Sequence, residues 1–128
     1  MTQEALLKVS NIDVFHGSFQ ALWDVSLEVK CGEIVALIGA NTSGKSTLLD
    51  TISGLLHPAK GSIEFEGENI SLLNPFQIVT SGISQVPEGR GIFPNMTVLD
   101  NLILGSYNRK ARPKREQNLK MVYEHFPI

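Results

Sequence analysis

Apolar and polar residues alternate over most of the first thirty positions. From Leu6 to Phe15 the apolar positions Leu7, Val9, Ile12 and Val14 keep a period of two with one slip, the pattern of a half-buried strand. Gly17-Ser18 interrupts it. A second run from Ala21 to Lys30 then places Leu22, Val25, Leu27 and Val29 at alternating or near-alternating positions. The two runs predict an antiparallel, hairpin-like element. Cys31-Gly32-Glu33 reads as a turn, after which Ile34-Val35-Ala36-Leu37-Ile38 is unbroken apolar sequence rich in β-branched residues. Such a run predicts a parallel strand buried on both faces. A glycine-bearing loop follows. Leu48, Leu49, Ile52 and Leu55 then recur at helical spacing, predicting a helix over 46–56 with Gly54 near its end.

Further along, Pro58-Ala59-Lys60-Gly61 predicts a turn, 62–65 a short strand closed by Gly67, and 75–81 a short helix ending at Gly82. Ile83 to Val86 reads as another short apolar strand, stopped by Pro87. Thr97-Val98-Leu99-Asp100 matches a helix capping box, opening a helix through Leu102 and Leu104 towards Tyr107. A basic stretch from Arg109 to Arg115 reads as a solvated linker into a last helical segment with Leu119, Val122 and Phe126 on one side. Strands alternating with helices define an α/β architecture, to which the opening antiparallel pair adds a second small sheet.

Composition sets limits on this picture. The 128 residues fit one domain or a piece of one, and 42% hydrophobic with 19% charged residues is a globular composition. Eleven Lys and Arg against 13 Asp and Glu leave a net charge of -2, which argues against nucleic acid as a partner. The one cysteine, Cys31, rules out an internal disulfide and fits a reducing compartment. No basic region followed by a long apolar stretch opens the chain, so it does not begin with a secretory signal. The longest apolar run, Ile34 to Ile38, is far short of the ~20 residues needed to cross a bilayer. The expectation is a soluble, intracellular chain whose membrane link, if any, runs through a partner.

The chemistry lies in one loop. Gly39-Ala40-Asn41-Thr42-Ser43-Gly44-Lys45-Ser46 satisfies G-x-x-x-x-G-K-[ST]. Backbone N–H groups must wrap a phosphate there, and glycine permits the close approach and unusual dihedrals. Lys45 supplies a point charge for the β- and γ-phosphates, and the Ser46 hydroxyl suits a Mg²⁺ ligand. A helix starting here adds free N–H groups, through Thr47, and the positive end of its dipole. The motif follows an apolar strand and opens a helix, as a phosphate loop should. Nucleotide binding, with ATP and Mg²⁺, is the reading.

The flanking sequence narrows the class. Leu22-Trp23-Asp24-Val25-Ser26-Leu27-Glu28-Val29, Gly32-Glu33-Ile34-Val35-Ala36-Leu37-Ile38-Gly39, Thr51-Ile52-Ser53-Gly54-Leu55 and Gly61-Ser62-Ile63-Glu64-Phe65-Glu66-Gly67 resemble ABC-transporter ATPases. The stretch from Val86-Pro87-Glu88-Gly89-Arg90 through Phe93-Pro94-Asn95-Met96-Thr97-Val98 is similar to the ATP-binding subunits of high-affinity branched-chain amino-acid importers. That resemblance covers essentially the whole chain. It implies an α/β P-loop NTPase core, present in part, with an N-terminal antiparallel β-subdomain and the start of a helical subdomain. Residues 1–95 would hold the core and residues 96–128 would open the helical part.

The same resemblance implies roles by position. Gly39, Asn41, Thr42, Ser43, Gly44, Lys45, Ser46 and Thr47 would hold the phosphates. An aromatic residue after the first strand would stack on adenine; either Phe15 or His16 falls there, and Phe15 could equally be core. Glu88 falls where the family places a glutamine near Mg²⁺ and the attacking water, which makes Lys45 and Glu88 the catalytic candidates and Ser46 and Glu88 the metal ligands. Thr42 stands where the family prefers glycine, and a β-branched residue is disfavoured if the loop needs a positive φ there. Phe93-Pro94 with Met96 would face a membrane subunit, or pack locally. Implied partners are transmembrane permease subunits, a second ATP-binding subunit and, indirectly, a solute-binding protein, with the chain cytoplasmic and peripheral on the inner face of the membrane. The Leu-Ser-Gly-Gly-Gln signature, the apolar strand ending in Asp before a catalytic Glu, and the switch histidine have no match; His16, His57 and His125 fall outside the expected order. The expectation is therefore the N-terminal part of an ATPase subunit that binds without turnover. A nucleotide-binding module with no hydrolytic role stands as the alternative.

Overall fold

The computed structural model describes residues 4–89 and 91–127. Two compact units divide the chain after Ser84. The first unit is built on a four-stranded antiparallel sheet. Strands β1 (Ala5–His16) and β2 (Phe19–Lys30) form the expected hairpin around Gly17-Ser18; α1 (Lys45–Ile52) follows, then β3 (Lys60–Phe65), β4 (Glu68–Asn69) and α2 (Pro75–Ser81). The sheet order is β2-β1-β3-β4, so β3 returns to pair antiparallel with β1 on the side away from β2.

The slip in the alternation of β1 is a β-bulge. Pairing with β2 shifts between Val9 and Ile12, and Asn11 sits at φ 49. An inserted residue moves later side chains back to the core face, so Val9, Ile12 and Val14 are all buried despite uneven spacing. Polar groups hold the bulge. Asn11 Nδ2 donates to Asp24 Oδ1 at 2.8 Å, the Asn11 amide to Ser26 Oγ at 2.8 Å, and the Asp24 amide to Asp13 Oδ1 at 2.8 Å.

Val9, Ile12, Val14, Leu22 and Ile63 from the sheet meet Leu48 and Ile52 of α1, Ile70, and Ile78 of α2 in one buried cluster. The cluster seats the start of α1 against β1 and β2. The helix ends at Ile52, earlier than the expected 46–56, because Gly54 at φ 82 turns the chain. The helix over 75–81 has the expected bounds. Asn74 caps it reciprocally with Gln77, and Gly82 ends it at φ 120. Strand β4 carried no pattern in the sequence; Glu66 and Gly67, at φ 51 and 80, form the turn that folds it back on β3.

Two expected strands are corrected. Ile34 to Ile38 pairs with no strand among the described residues and is not buried: Ile34 is 97% and Ile38 92% exposed. Ile83 to Val86 likewise forms no strand, and Val86 is 91% exposed. An apolar run becomes a two-faced buried strand only where neighbouring strands and covering helices exist, and among the described residues neither segment has them.

The second unit holds α3 (Val98–Leu104) and α4 (Arg115–His125). Thr97 caps α3, its hydroxyl accepting from the Asp100 amide at 3.0 Å. The helix stops at Leu104 rather than continuing to Tyr107, where Ser106 and Tyr107 bond back to Ile103 and Leu104 in tighter turns. The basic stretch includes a single 3-10 turn over Arg112–Lys114. Two of its side chains are engaged locally. Arg112 Nε donates to the Tyr107 carbonyl at 2.9 Å with its guanidinium 5.3 Å from the Tyr107 ring centre, and Arg115 Nε donates to Ser106 Oγ at 2.6 Å. No helix among the described residues is long and apolar enough to cross a membrane.

Candidate functional site

The loop from Gly39 to Thr47 folds back on itself around Lys45. Lys45 Nζ donates to the Gly39 and Ala40 carbonyls at 2.6 Å each and lies 3.3 Å from Ser43 Oγ, while the Ser43 amide closes a turn onto the Ala40 carbonyl at 3.2 Å. A Cβ at position 39 would lie 2.5 Å from Ser43 Oγ and 3.3 Å from Ser43 Cβ, so a side chain there would require the Ser43 side chain to turn away. Gly44 caps α1 at φ 100, and a Cβ there would lie 2.6 Å from Leu22 Cδ2. Gly44 is thus demanded by its backbone conformation, and Gly39 leaves room for the Ser43 side chain. Thr42 stands at φ 68, in the left-handed region that β-branched residues avoid. The loop holds this conformation against a cost of ~1–2 kcal/mol.

No side chain caps the start of α1; its first intrahelical bond is Leu48 N–H to the Gly44 carbonyl at 2.9 Å. The preceding amides of Lys45, Ser46 and Thr47 therefore lack intrahelical acceptors and sit at the positive end of the helix dipole. Asn41, Thr42 and Ser43 are exposed at the bend of the loop, and Ser46 is exposed beside it. A row of amides, one ammonium group and a hydroxyl make a donor set suited to a polyphosphate with a hard cation. The glycine cradle leaves room for the backbone approach this needs.

His16 belongs to the same place. Its Nε2 lies 3.1 Å from Thr47 Oγ1, joining the end of β1 to the first turn of α1. Phe15, its neighbour, is 40% exposed and is not part of the buried cluster, so it is not the core residue that its apolar character allowed. Glu88 lies in an exposed bend of the second unit. Gln85 precedes it in a segment that is not a strand.

Two residues with local structural roles had no signal in the sequence. Thr51 is buried, its hydroxyl donating to the Thr47 carbonyl at 2.7 Å. Asn101 ties down the loop that carries Phe93 and Met96: its side chain accepts from the Phe93 amide at 2.9 Å and donates to the Phe93 and Thr97 carbonyls at 3.1 and 2.9 Å. A contact eight residues back along an irregular loop has no period by which to read it.

This chain, with its partial P-loop NTPase fold, belongs to the ABC transporter family, whose match runs over residues 22–128. It is 48% identical over 102 residues to the high-affinity branched-chain amino acid transport ATP-binding protein BraG of Pseudomonas aeruginosa, covering 80% of this chain and 44% of that protein. It is 36% identical over 108 residues to the probable branched-chain amino acid transport ATP-binding protein LivG of Methanocaldococcus jannaschii, covering 84% of this chain and 42% of that one. A solved ATP-binding cassette of an ABC transporter superposes with a TM-score of 0.74 at 36% identity, over 84% of this chain and 42% of that chain. The ADP conformation of an ATP-binding cassette matches with a TM-score of 0.69 at 37% identity, over 80% of this chain and 41% of that one. The chain thus spans less than half the length of these relatives.

Proposed function

We propose that the chain supplies the phosphate-binding part of the ATP site in an ATP-binding subunit of an ABC importer for branched-chain amino acids. One observation carries this: the Gly39–Thr47 loop puts the Lys45 ammonium, two close-approach glycines and the uncapped amides of α1 in one small space. The names of the two branched-chain amino-acid relatives support the solute class.

Within the site, the loop amides and Lys45 bind and orient the β- and γ-phosphates, and Lys45 offsets charge that grows on the transferred group. Ser46 would hold Mg²⁺, which when bound neutralises phosphate charge. By the family resemblance, Glu88 would serve the metal or the attacking water. On the same resemblance, residues 1–95 would belong to the ATPase core and 96–128 would open the helical subdomain, a boundary that falls inside the second compact unit. The assembled subunit would pair with a second ATP-binding subunit and with transmembrane permeases on the inner face of the membrane, with a solute-binding protein acting through them. Phe93, Pro94 and Met96, all exposed, form the surface assigned to the permease.

The 128 residues contain no Leu-Ser-Gly-Gly-Gln sequence, so they bind Mg-ATP without turning it over. Equilibrium dialysis with Mg-ATP, run beside a phosphate-release assay, tests this. The expected result is Lys45-dependent binding with a release rate equal to that of Lys45→Ala. A Lys45-dependent release rate contradicts the account of turnover, and binding unchanged by Lys45→Ala contradicts the site.

A further inference from the structure

Seven of the 11 Lys and Arg residues fall after Ser84, against four of the 13 Asp and Glu residues, so the first unit is acidic and the second basic. Five of those seven cations lie between Arg109 and Arg115. The segment that carries them is an ordered turn. Asn108 Oδ1 accepts from the Ala111 amide at 2.8 Å, and the Asn108 carbonyl accepts from the Arg112 amide at 3.2 Å. The 3-10 turn that follows contains Pro113, whose ring fixes the backbone.

Two of the five cations close this turn and three do not. Arg115 Nε donates to Ser106 Oγ at 2.6 Å, and Arg112 Nε donates to the Tyr107 carbonyl at 2.9 Å with its guanidinium over the Tyr107 ring. Arg109, Lys110 and Lys114 are exposed, and among the described residues their side chains have no hydrogen bond or ion pair. Glu116, the nearest acidic residue in sequence, pairs with none of them. Like charges crowded on one short turn repel one another, and an anionic partner relieves that repulsion.

A flat anionic surface suits this arrangement. The three cations are exposed on a turn whose backbone is already ordered, so little conformational freedom is lost when they engage. Tyr107, 60% exposed beside Arg112, adds an amphipathic ring of the kind that favours a membrane–water boundary. A long nucleic acid collects contacts along a broad basic face, which a chain of net charge -2 with an acidic first unit does not offer.

We propose that the closed turn from Ser106 to Arg115 is a docking surface for anionic phospholipid headgroups, with Arg109, Lys110 and Lys114 contacting the phosphates. The turn is a second attachment to the bilayer, separate from the surface assigned to the permease. That a membrane lies within reach rests on the importer reading above; the charge and geometry of the turn do not.

Co-sedimentation with vesicles tests this, using equimolar phosphatidylglycerol and phosphatidylcholine beside phosphatidylcholine alone. The wild-type chain is expected to bind the anionic vesicles only, and less as salt rises. Arg109→Gln/Lys110→Gln/Lys114→Gln should weaken binding on the order of a hundredfold, at roughly fivefold per cation lost. The charge-keeping variant Arg109→Lys/Lys110→Arg/Lys114→Arg should stay within about threefold of wild type on the same charge count. Equal binding to both vesicle types overturns the proposal, as does anionic binding that the glutamine variant retains. Binding of a single-stranded RNA oligonucleotide without binding to the anionic vesicles overturns it in favour of nucleic acid. Mg-ATP affinity, measured on the same samples, keeps the two readings apart. Lys45-dependent Mg-ATP binding without vesicle binding removes the docking surface alone. Charge-dependent vesicle binding by a folded chain that does not bind Mg-ATP supports the docking surface and overturns the nucleotide-site reading alone.

Discussion

The Lys45 ammonium donates to the Gly39 carbonyl at 2.6 Å, fastening the first residue of α1 to the residue that opens the loop six positions earlier. Gly39→Ala would put a Cβ 2.5 Å from Ser43 Oγ and 3.3 Å from Ser43 Cβ, forcing Ser43 out of its position beside Lys45 Nζ. Mg-ATP affinity is expected to fall at least about tenfold, the effect of losing one charge-assisted bond geometry. Far-UV circular dichroism should stay near wild type. Undiminished affinity in Gly39→Ala would show that the close approach is not needed.

Thr42 at φ 68 holds an unfavourable conformation. Thr42→Gly removes a strain of ~1–2 kcal/mol but adds ~0.5–1 kcal/mol of unfolded-state freedom. A net stabilisation of about 0.5–1 kcal/mol is expected from these terms, read as a higher urea midpoint at unchanged slope. A lower midpoint would mean that Thr42 makes a compensating contact.

Asn101 holds the Phe93 loop through bonds to the Phe93 amide, the Phe93 carbonyl and the Thr97 carbonyl. Asn101→Ala is expected to cost ~1–2 kcal/mol locally, since exposed bonds contribute ~0.5–1.5 kcal/mol each and are only partly replaced by water. Hydrogen exchange at the Phe93 amide reads this directly. Protection there should fall by about tenfold or more, and unchanged protection would refute the clamp.

Which features could be read in advance follows from the range of the interaction that sets them. The β1–β2 hairpin, the helix over 75–81 and the Thr97 cap depend on neighbours within a few residues, and their alternation, Asn74, Gly82 and Thr97 are local marks. The bulge at Asn11 showed as a slip, but not the Asp24 and Ser26 contacts that hold it. Ile34 to Ile38 looked like a buried strand because its composition suits one; burial also needs neighbours, which sequence period does not report. At the site, the glycine and lysine positions were legible from the loop motif. The His16–Thr47 contact was not, because the two residues lie 31 positions apart.

The exposed run Ile34 to Ile38 has a measurable consequence. An unpaired, apolar, β-branched segment offers its backbone to another chain. The purified chain is expected to self-associate as concentration rises, by size-exclusion chromatography with light scattering. Ile34→Lys with Ile38→Lys should suppress this, since charge blunts strand pairing. Association unchanged in the double variant would place the contact elsewhere.

The central claim is that the Gly39–Thr47 loop binds nucleotide phosphates through Lys45. Calorimetric titration of Mg-ATP into the wild-type chain and into Lys45→Ala, at matched concentration and confirmed folding, tests it most directly. The account predicts saturable binding to the wild type and at least about tenfold weaker binding to Lys45→Ala, given one lost ammonium. Equal affinity for the two proteins, or no binding to the folded wild type, would contradict it.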